Sequence, residues 1–436
     1  MKQALSANIV SEKTNPQSYL ASLYPQLLYL ATKQDGKNPF AGQGVREQTE
    51  EARRAGIALK QLQRGLTGDR KFAGADYFSK PEFLSAYLLY YWPVSFLQTS
   101  LALSELKTRS ALTRCSSVLD LGAGPGPAAA AAAMFGAKSF LLLDKSREAL
   151  QQAIFLLRAS TALTTSAASA TSSRNAATFA SSSSTNLETI KTLPEGEFDL
   201  VIACHSANEL WKDNVKALDK RARLFGQAVQ RLSAGGILLI IEPSALVTSR
   251  PALALRDRLL KDFSGSLYCV APCPGSYPCP ILAAGEGRNC HSTWTWEPYE
   301  PVAALASAAG LDRDSVKATW FALKKQNAFT NAPKGGKVLG APNGGAEEKK
   351  LSGRVISEPM LNKAGRLRYI LCTEAGLATL SAKAGNSEAE TAGFFSLRRG
   401  DMIEASQLER REGDNNFGFV PESKLRIAMK APKVCY

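Results

Sequence analysis

The sequence predicts an α/β protein built on a parallel sheet covered on both faces, with helices before the sheet and a small β unit after it. Strand-like and helix-like stretches alternate from Ser116 onward, and the first strand runs directly into a glycine-rich turn, "VLDLGAGPGPA". The length of 436 residues exceeds one ordinary domain and suggests more than one unit.

Composition sets the class. With 45% hydrophobic and 21% charged residues the chain can bury a real core. The opening "MKQALSANIVSEKTNPQSYL" has neither the apolar run of a signal peptide nor the arginine content of a mitochondrial presequence. The longest apolar run, "GILLIIEP", is strand-sized, so no membrane partner is expected. The expected compartment is the cytoplasm, with the mitochondrial matrix as the alternative. There, clustered cysteines point to metal or catalysis before disulfides. A net charge of +14 and a pI near 9.4 attract polyanions, and nucleic acid is the expected partner.

Residues 1–115 read as a helical region, with apolar residues three and four apart in "EEARRAGIALKQLQRGL" and "PEFLSAYLLYYWPVSFLQTSLALSELKTR". Pro93 should end or kink the second helix near Tyr91–Trp92. The aromatic stripe from Tyr77 to Trp92 reads as core. Residues 116–323 hold the sheet, whose strands are "SSVLDLGAG", "SFLLLDKS", "FDLVIACHS", "GGILLIIEPS" and "SVKATWFALKK". An insertion at 159–190 is nearly pure Ser, Thr and Ala, too poor in apolar surface to order itself. Residues 324–353 read as a Gly/Pro/Lys-rich linker, and 354–436 as a small basic β-rich domain. Its basic runs "KAGRLRY", "SLRRGD" and "KLRIAMKAPK" are candidate phosphate contacts, Arg398 and Arg399 among them.

The turn carries the nucleotide signal. Asp120 ends the strand, Gly122, Gly124 and Gly126 follow at alternate positions, and a helix begins at once. Glycines let a ligand approach the backbone, and the helix start offers free N–H groups. Asp144 ends the next strand, where an acid can accept hydrogen bonds from both hydroxyls of a ribose. The D-x-G-x-G-x-G arrangement resembles the first motif of class I methyltransferases, which implies S-adenosylmethionine as the ligand. Asn/Asp-Pro-Pro-aromatic and Pro-Cys signatures are both absent from "FDLVIACHSANEL", where Ala203 precedes Cys204. His205 is the candidate base, since imidazole titrates near neutrality, although lining the pocket is the more ordinary role.

Four of the eight cysteines fall between Cys269 and His291. Cys273, Cys279 and Cys290 have C-x5-C-x10-C spacing, which matches neither zinc knuckles nor a ferredoxin run. The spacing says soft metal, with Cys269, His291 or the distant Cys372 open as the fourth ligand.

Taken in order, "YFSKPEFLSAYLLYYWPVSF", "VLDLGAGPGPA", "FDLVIACHSANEL", "GGILLIIEPS", "APCPGSYPCP", "NCH", "TWFALKK", "YILCTEAG" and "SLRRGDMI" resemble the methyltransferase-like proteins of the mitochondrial and bacterial small ribosomal subunit. The resemblance covers most of the chain. It implies a 4Fe–4S cluster held by Cys273, Cys279, Cys290 and Cys372, with zinc as the alternative metal. It also implies a role in small-subunit assembly, with small-subunit ribosomal RNA as partner and a monomeric chain. The alternative is an active S-adenosylmethionine-dependent ribosomal RNA methyltransferase. A small-molecule methyltransferase would leave the charge and the cysteines unexplained.

Overall fold

The first sheet is built from β1 (Ser117–Leu121), β2 (Ser139–Asp144), β3 (Phe179–Ser184), β4 (Phe198–Cys204), β5 (Leu232–Glu242), β6 (Leu267–Ala271), β7 (Ser292–Thr295) and β8 (Ser315–Lys325). The computed structural model describes residues 15–32, 50–166, 179–298, 300–311, 314–326 and 350–432. The strand order is β3-β2-β1-β4-β5-β8-β6, with β7 paired to β8. β1 to β5 run parallel, and β8 enters antiparallel between β5 and β6. This is the class I methyltransferase-like α/β architecture, a mixed sheet where the sequence suggested a purely parallel one.

Alternation along the strands produces two cores. Leu200 and Ile202 of β4 pack with the N-terminal helices, while Val201 and Ala203 face helices 217–230 and 246–262. The helices at Pro16–Thr32 and Trp92–Thr108 bury Leu20, Leu23, Leu27, Phe96 and Leu101 in the first of these cores. Before Trp92 the chain makes a π turn, Tyr87–Tyr91, and Pro93 then sits in the first turn of a new helix. A proline there removes no intrahelical hydrogen bond, so the expected break becomes a helix start.

The insertion at 159–190 is corrected by the structure. Residues up to Ser166 complete a helix, and Phe179–Ser184 form β3, paired in register with all of β2. Pairing to an existing edge satisfies the backbone of a serine run that has little apolar surface of its own. Residues 167–178 of that insertion lie outside the described residues, as do 327–349 of the expected linker. The described ends of the linker are strands, Lys325 closing β8 and Leu351 opening the second sheet.

The second sheet has eight strands between Leu351 and Met429, antiparallel except where Gly376–Lys383 pairs with Asn416–Gly418. Val355, Tyr369, Leu371, Leu380, Phe394 and Ile403 form its separate core. Arg399, expected to meet phosphate, is instead tied down by Glu358 at 3.0 Å and by the Ile356 carbonyl.

Candidate functional site

β1 ends between β2 and β4, and its last residues are fully buried. The chain must therefore turn within a few residues to start the helix at Pro127. Gly122, Gly124 and Gly126 all take positive φ, +76°, +51° and +76°. A Cβ on Gly122 would lie 2.4 Å from Ser206 Cβ, and one on Gly126 would lie 2.9 Å from Ala153 Cβ. Asp144 steadies the turn: Oδ2 accepts from Gly124 N at 2.8 Å and Oδ1 from Ser146 N at 2.8 Å. Trp92 Nε1 donates to Pro125 O at 3.0 Å, joining the N-terminal helices to the same turn.

In front of the turn lies a cavity of ≈ 490 Å³, with Gly122, Gly124, Asp144 and His205 in its wall. Asp120 and Gly126 stand behind that wall. Asp120 is 1% exposed, and neither of its carboxylate oxygens has a hydrogen-bond partner. Burial, and then the nearby Asp144 carboxylate, push it up to about 7. The Ala129 N–H pulls the other way without reaching hydrogen-bond geometry. Burial also raises Asp144, against the pull of the Ser146 and Gly124 N–H groups.

Sequence reasoning missed much of the wall. Tyr77, Phe78, Tyr87 and Tyr91 line the cavity, while Phe83, Tyr90 and Trp92 are buried as expected. The stripe thus has two faces, and the four-residue step from Tyr87 to Tyr91 was the available signal for the second. Glu209 also lines the cavity, and burial pushes its carboxyl up to about 7 against the Gly74 N–H and Lys145. Behind it, Glu242 Oε1 accepts from Asn208 N at 2.9 Å. Glu209, in the loop after β4, and Glu242, the last residue of β5, offered no motif.

His205 is held in the wall through both its backbone and its side chain. Its φ is +62°, unusual for a residue with a side chain, and its N–H donates to Ile241 O at 2.7 Å. Gln98 Nε2 donates to Lys317 O at 2.8 Å, which turns Gln98 Oε1 toward His205 Nε2 at 2.7 Å. An amide oxygen only accepts, so Nε2 carries the imidazole proton. Burial pushes the Cys204 thiol well above the usual range.

A second constellation lies beyond β6. Cys279 and Cys372 share a small buried cluster with Leu253, Ile281 and Ile356, and Cys290 and Tyr277 pack against it. The Cys372 thiol is raised by burial first and then by Cys273, Cys290 and Cys279, so all four positions are electrostatic neighbours. The Cys269 thiol, with Arg256 and Arg354 behind it, holds Cys273 below the ordinary thiol range. His291 is held down by burial, Arg399 and Lys317. Among the described residues, these side chains do not close into a group of three or more that could hold a metal ion as they stand. The expected metal loop is therefore present as a gathering of thiols, without a formed metal site.

The model of the family described as mitochondrial small ribosomal subunit Rsm22 matches residues 81–376, a stretch that holds the glycine turn, the cavity wall from Tyr87 to Lys317 and all four cysteines. The chain belongs to the Rsm22 family. No curated protein matches it. Solved structures similar to this Rsm22-family chain include a ribosomal protein L11 methylase from Lactobacillus delbrueckii subsp. bulgaricus, 16% identical, covering 53% of this chain and 80% of that one with a TM-score of 0.29. A SAM-dependent methyltransferase from Leishmania major is 14% identical, covering 66% and 88%, with a TM-score of 0.32. The N-methyltransferase NodS from Bradyrhizobium japonicum WM9, in complex with S-adenosyl-L-homocysteine, is 13% identical, covering 62% and 98%, with a TM-score of 0.31. No helix among the described residues is long and apolar enough to cross a membrane.

Proposed function

We propose that this Rsm22-family chain binds S-adenosylmethionine and small-subunit ribosomal RNA as a methyltransferase-like factor in small-subunit assembly. The observation that carries the reading is the cavity at the end of β1, walled by Gly122, Gly124 and Asp144 with the unsatisfied Asp120 carboxylate behind. The residues fit the donor. Gly122 and Gly124 bring backbone into the cavity wall, and each oxygen of Asp144 keeps a lone pair for a ribose hydroxyl. Asp144, Glu209 and the rings of Tyr77, Tyr87 and Tyr91 suit a cation. The donor, when bound, supplies a methyl group on a positively charged sulfur. Gly126 serves the turn rather than the donor.

The division of labour follows the expected units. Residues 1–115 would roof the cavity, 116–323 would hold donor and cysteines, and the basic 354–436 would grip RNA. Cys273, Cys279, Cys290 and Cys372 would bind a 4Fe–4S cluster, or a zinc ion in its place, so that metal binding joins the C-terminal unit to the sheet. The chain would act as a monomer, in the compartment of the ribosome it serves.

A second reading, active methyl transfer to ribosomal RNA, is favoured by the fixed tautomer of His205 in the cavity wall. Calorimetry with S-adenosylmethionine tests the donor site. Gly122→Val should abolish binding, and Asp144→Ala should weaken it by about 1.5–3 kcal/mol, the scale of a hydrogen bond to a charged group. Undiminished binding in both variants would refute the site. Labelled methyl transfer to immature small subunits, lost in His205→Ala, would select the second reading.

A further inference from the structure

β1 lies between β2 and β4 in the sheet, so a segment bonded to the ends of both neighbours must cross in front of the glycine turn. Arg70–Asp76 does this. Lys145, just after β2, donates from Nζ to Gly74 O at 2.6 Å. Glu209, just after β4, accepts from Gly74 N through Oε2 at 3.1 Å. Arg70 Nη2 adds bonds to Asn208 Oδ1 at 2.8 Å and Asn208 O at 3.1 Å. Gly74 and Ala75 line the cavity, and Phe78 lies 3.3 Å from where a Cβ on Gly124 would stand.

We infer that Arg70–Asp76 is a gate over the donor cavity, latched by Lys145, Glu209 and Asn208, and that the donor enters and leaves when the gate lifts. The inference rests on the donor reading above. Lys71, Gly74, Ala75 and Asp76 are exposed, and only Ala73 is buried. Lifting the segment's exposed part, Gly74–Asp76, therefore breaks a few polar bonds at the solvent edge and little apolar packing, while Phe72 and Ala73 stay packed, which is the signature of a low-stability element. Two points in the segment can take up the change. Arg70 has φ +57° and Gly74 has φ +78°, conformations that an opening rotation would relax or that glycine adopts freely. Phe72, its ring tilted against that of Phe83 with centroids 5.0 Å apart, anchors the segment to the N-terminal helices between those two points.

Stopped-flow binding of S-adenosylhomocysteine to the full chain tests the gate. In Arg70→Ala and in Lys145→Ala, loss of a charged latch bond should raise association and dissociation rates together, each by about tenfold, with little change in Kd. Arg70 does not line the donor cavity, so its variant separates latch from donor contact. Faster dissociation at an unchanged association rate in both variants would make these residues donor contacts and overturn the gate. Unchanged rates in both would overturn it as well. If the unaltered chain binds no S-adenosylhomocysteine, the donor reading fails and the gate falls with it. If it binds, backbone hydrogen exchange from Gly74 to Tyr77 should slow on saturation, and exchange that stays the same would count against closure.

Discussion

Arg354 and Glu105 form an ion pair at 2.6 Å although 249 residues separate them, and both side chains are almost wholly buried. Arg109 reaches the same Glu105 oxygen at 2.6 Å. Pro272 O, at the head of the cysteine loop, accepts from Arg354 Nη1 at 2.9 Å and from Arg109 Nη2 at 3.1 Å. One carboxylate thus ties the donor-side helix, the cysteine loop and the C-terminal sheet. Taking it away leaves two largely buried guanidiniums without their shared anion. Glu105→Ala should cost about 3–5 kcal/mol in chemical denaturation, the scale of breaking a buried pair from one side. A loss below about 1 kcal/mol would place the pair among solvated ones.

That pair marks the limit of what the sequence makes legible. The five principal strands and the glycine turn could be read because their apolar alternation and backbone demands are local. β3 could not, since serines form a strand there only because β2 offers a partner edge. Asp144 could be placed from its position at a strand end, whereas Glu209, Tyr87 and Tyr91 enter the cavity through the mutual packing of distant segments. Arg354, Arg398 and Arg399 look alike in a charge count. One is buried in the core, one is exposed and one is tied to Glu358.

Asp120 gives the chain a predictable pH dependence. Its carboxyl stands at about 7 in the fold, from burial and then Asp144, against 3.8 when unperturbed. Between those values the folded protein keeps a proton that the unfolded chain has released. Its contribution is therefore complete below 3.8 and is lost as pH rises through about 7. Asp120→Asn should remove this slope, so the difference in stability between variant and parent should change by a few kcal/mol, an order-of-magnitude figure, across that window. Urea denaturation at the two ends of the window measures it. A difference that does not vary with pH would show that Asp120 ionises normally in the fold.

The thiol gathering makes a sharper claim. Reconstituted anaerobically with ferrous iron and sulfide, the protein should turn brown and hold about four irons and about four sulfides per chain. Serine at Cys273, Cys279, Cys290 or Cys372 should bleach it and lower its stability, because binding draws separate segments together. Cys115→Ser and Cys204→Ser should keep the colour, since neither packs against the cysteine cluster. Cys269→Ser should keep it too. Colourless protein with one bound zinc would change the metal and keep the ligands. Full colour in Cys372→Ser would break the link to the C-terminal sheet.

RNA affinity should depend steeply on salt, because phosphate neutralisation releases counterions. Lys363, Arg368, Arg398, Lys424 and Lys430 are exposed on the C-terminal unit and supply the charge. Against a single-stranded small-subunit RNA, each true phosphate contact should contribute about 0.7 to the slope of log affinity on log salt. Arg368→Glu with Arg398→Glu should therefore flatten the slope by about 1.4 without unfolding the chain. Arg399→Glu should behave differently. Its guanidinium pairs with Glu358 at 3.0 Å and bonds the Ile356 carbonyl, so reversal sets two acids together at the edge of the cysteine cluster. Stability should fall there before the salt slope moves. If Arg399→Glu flattened the slope like its neighbour and left stability intact, the side chain would have to leave Glu358 for phosphate when RNA binds. A slope near zero in the unaltered chain would mean that the basic surface meets something other than a polyanion.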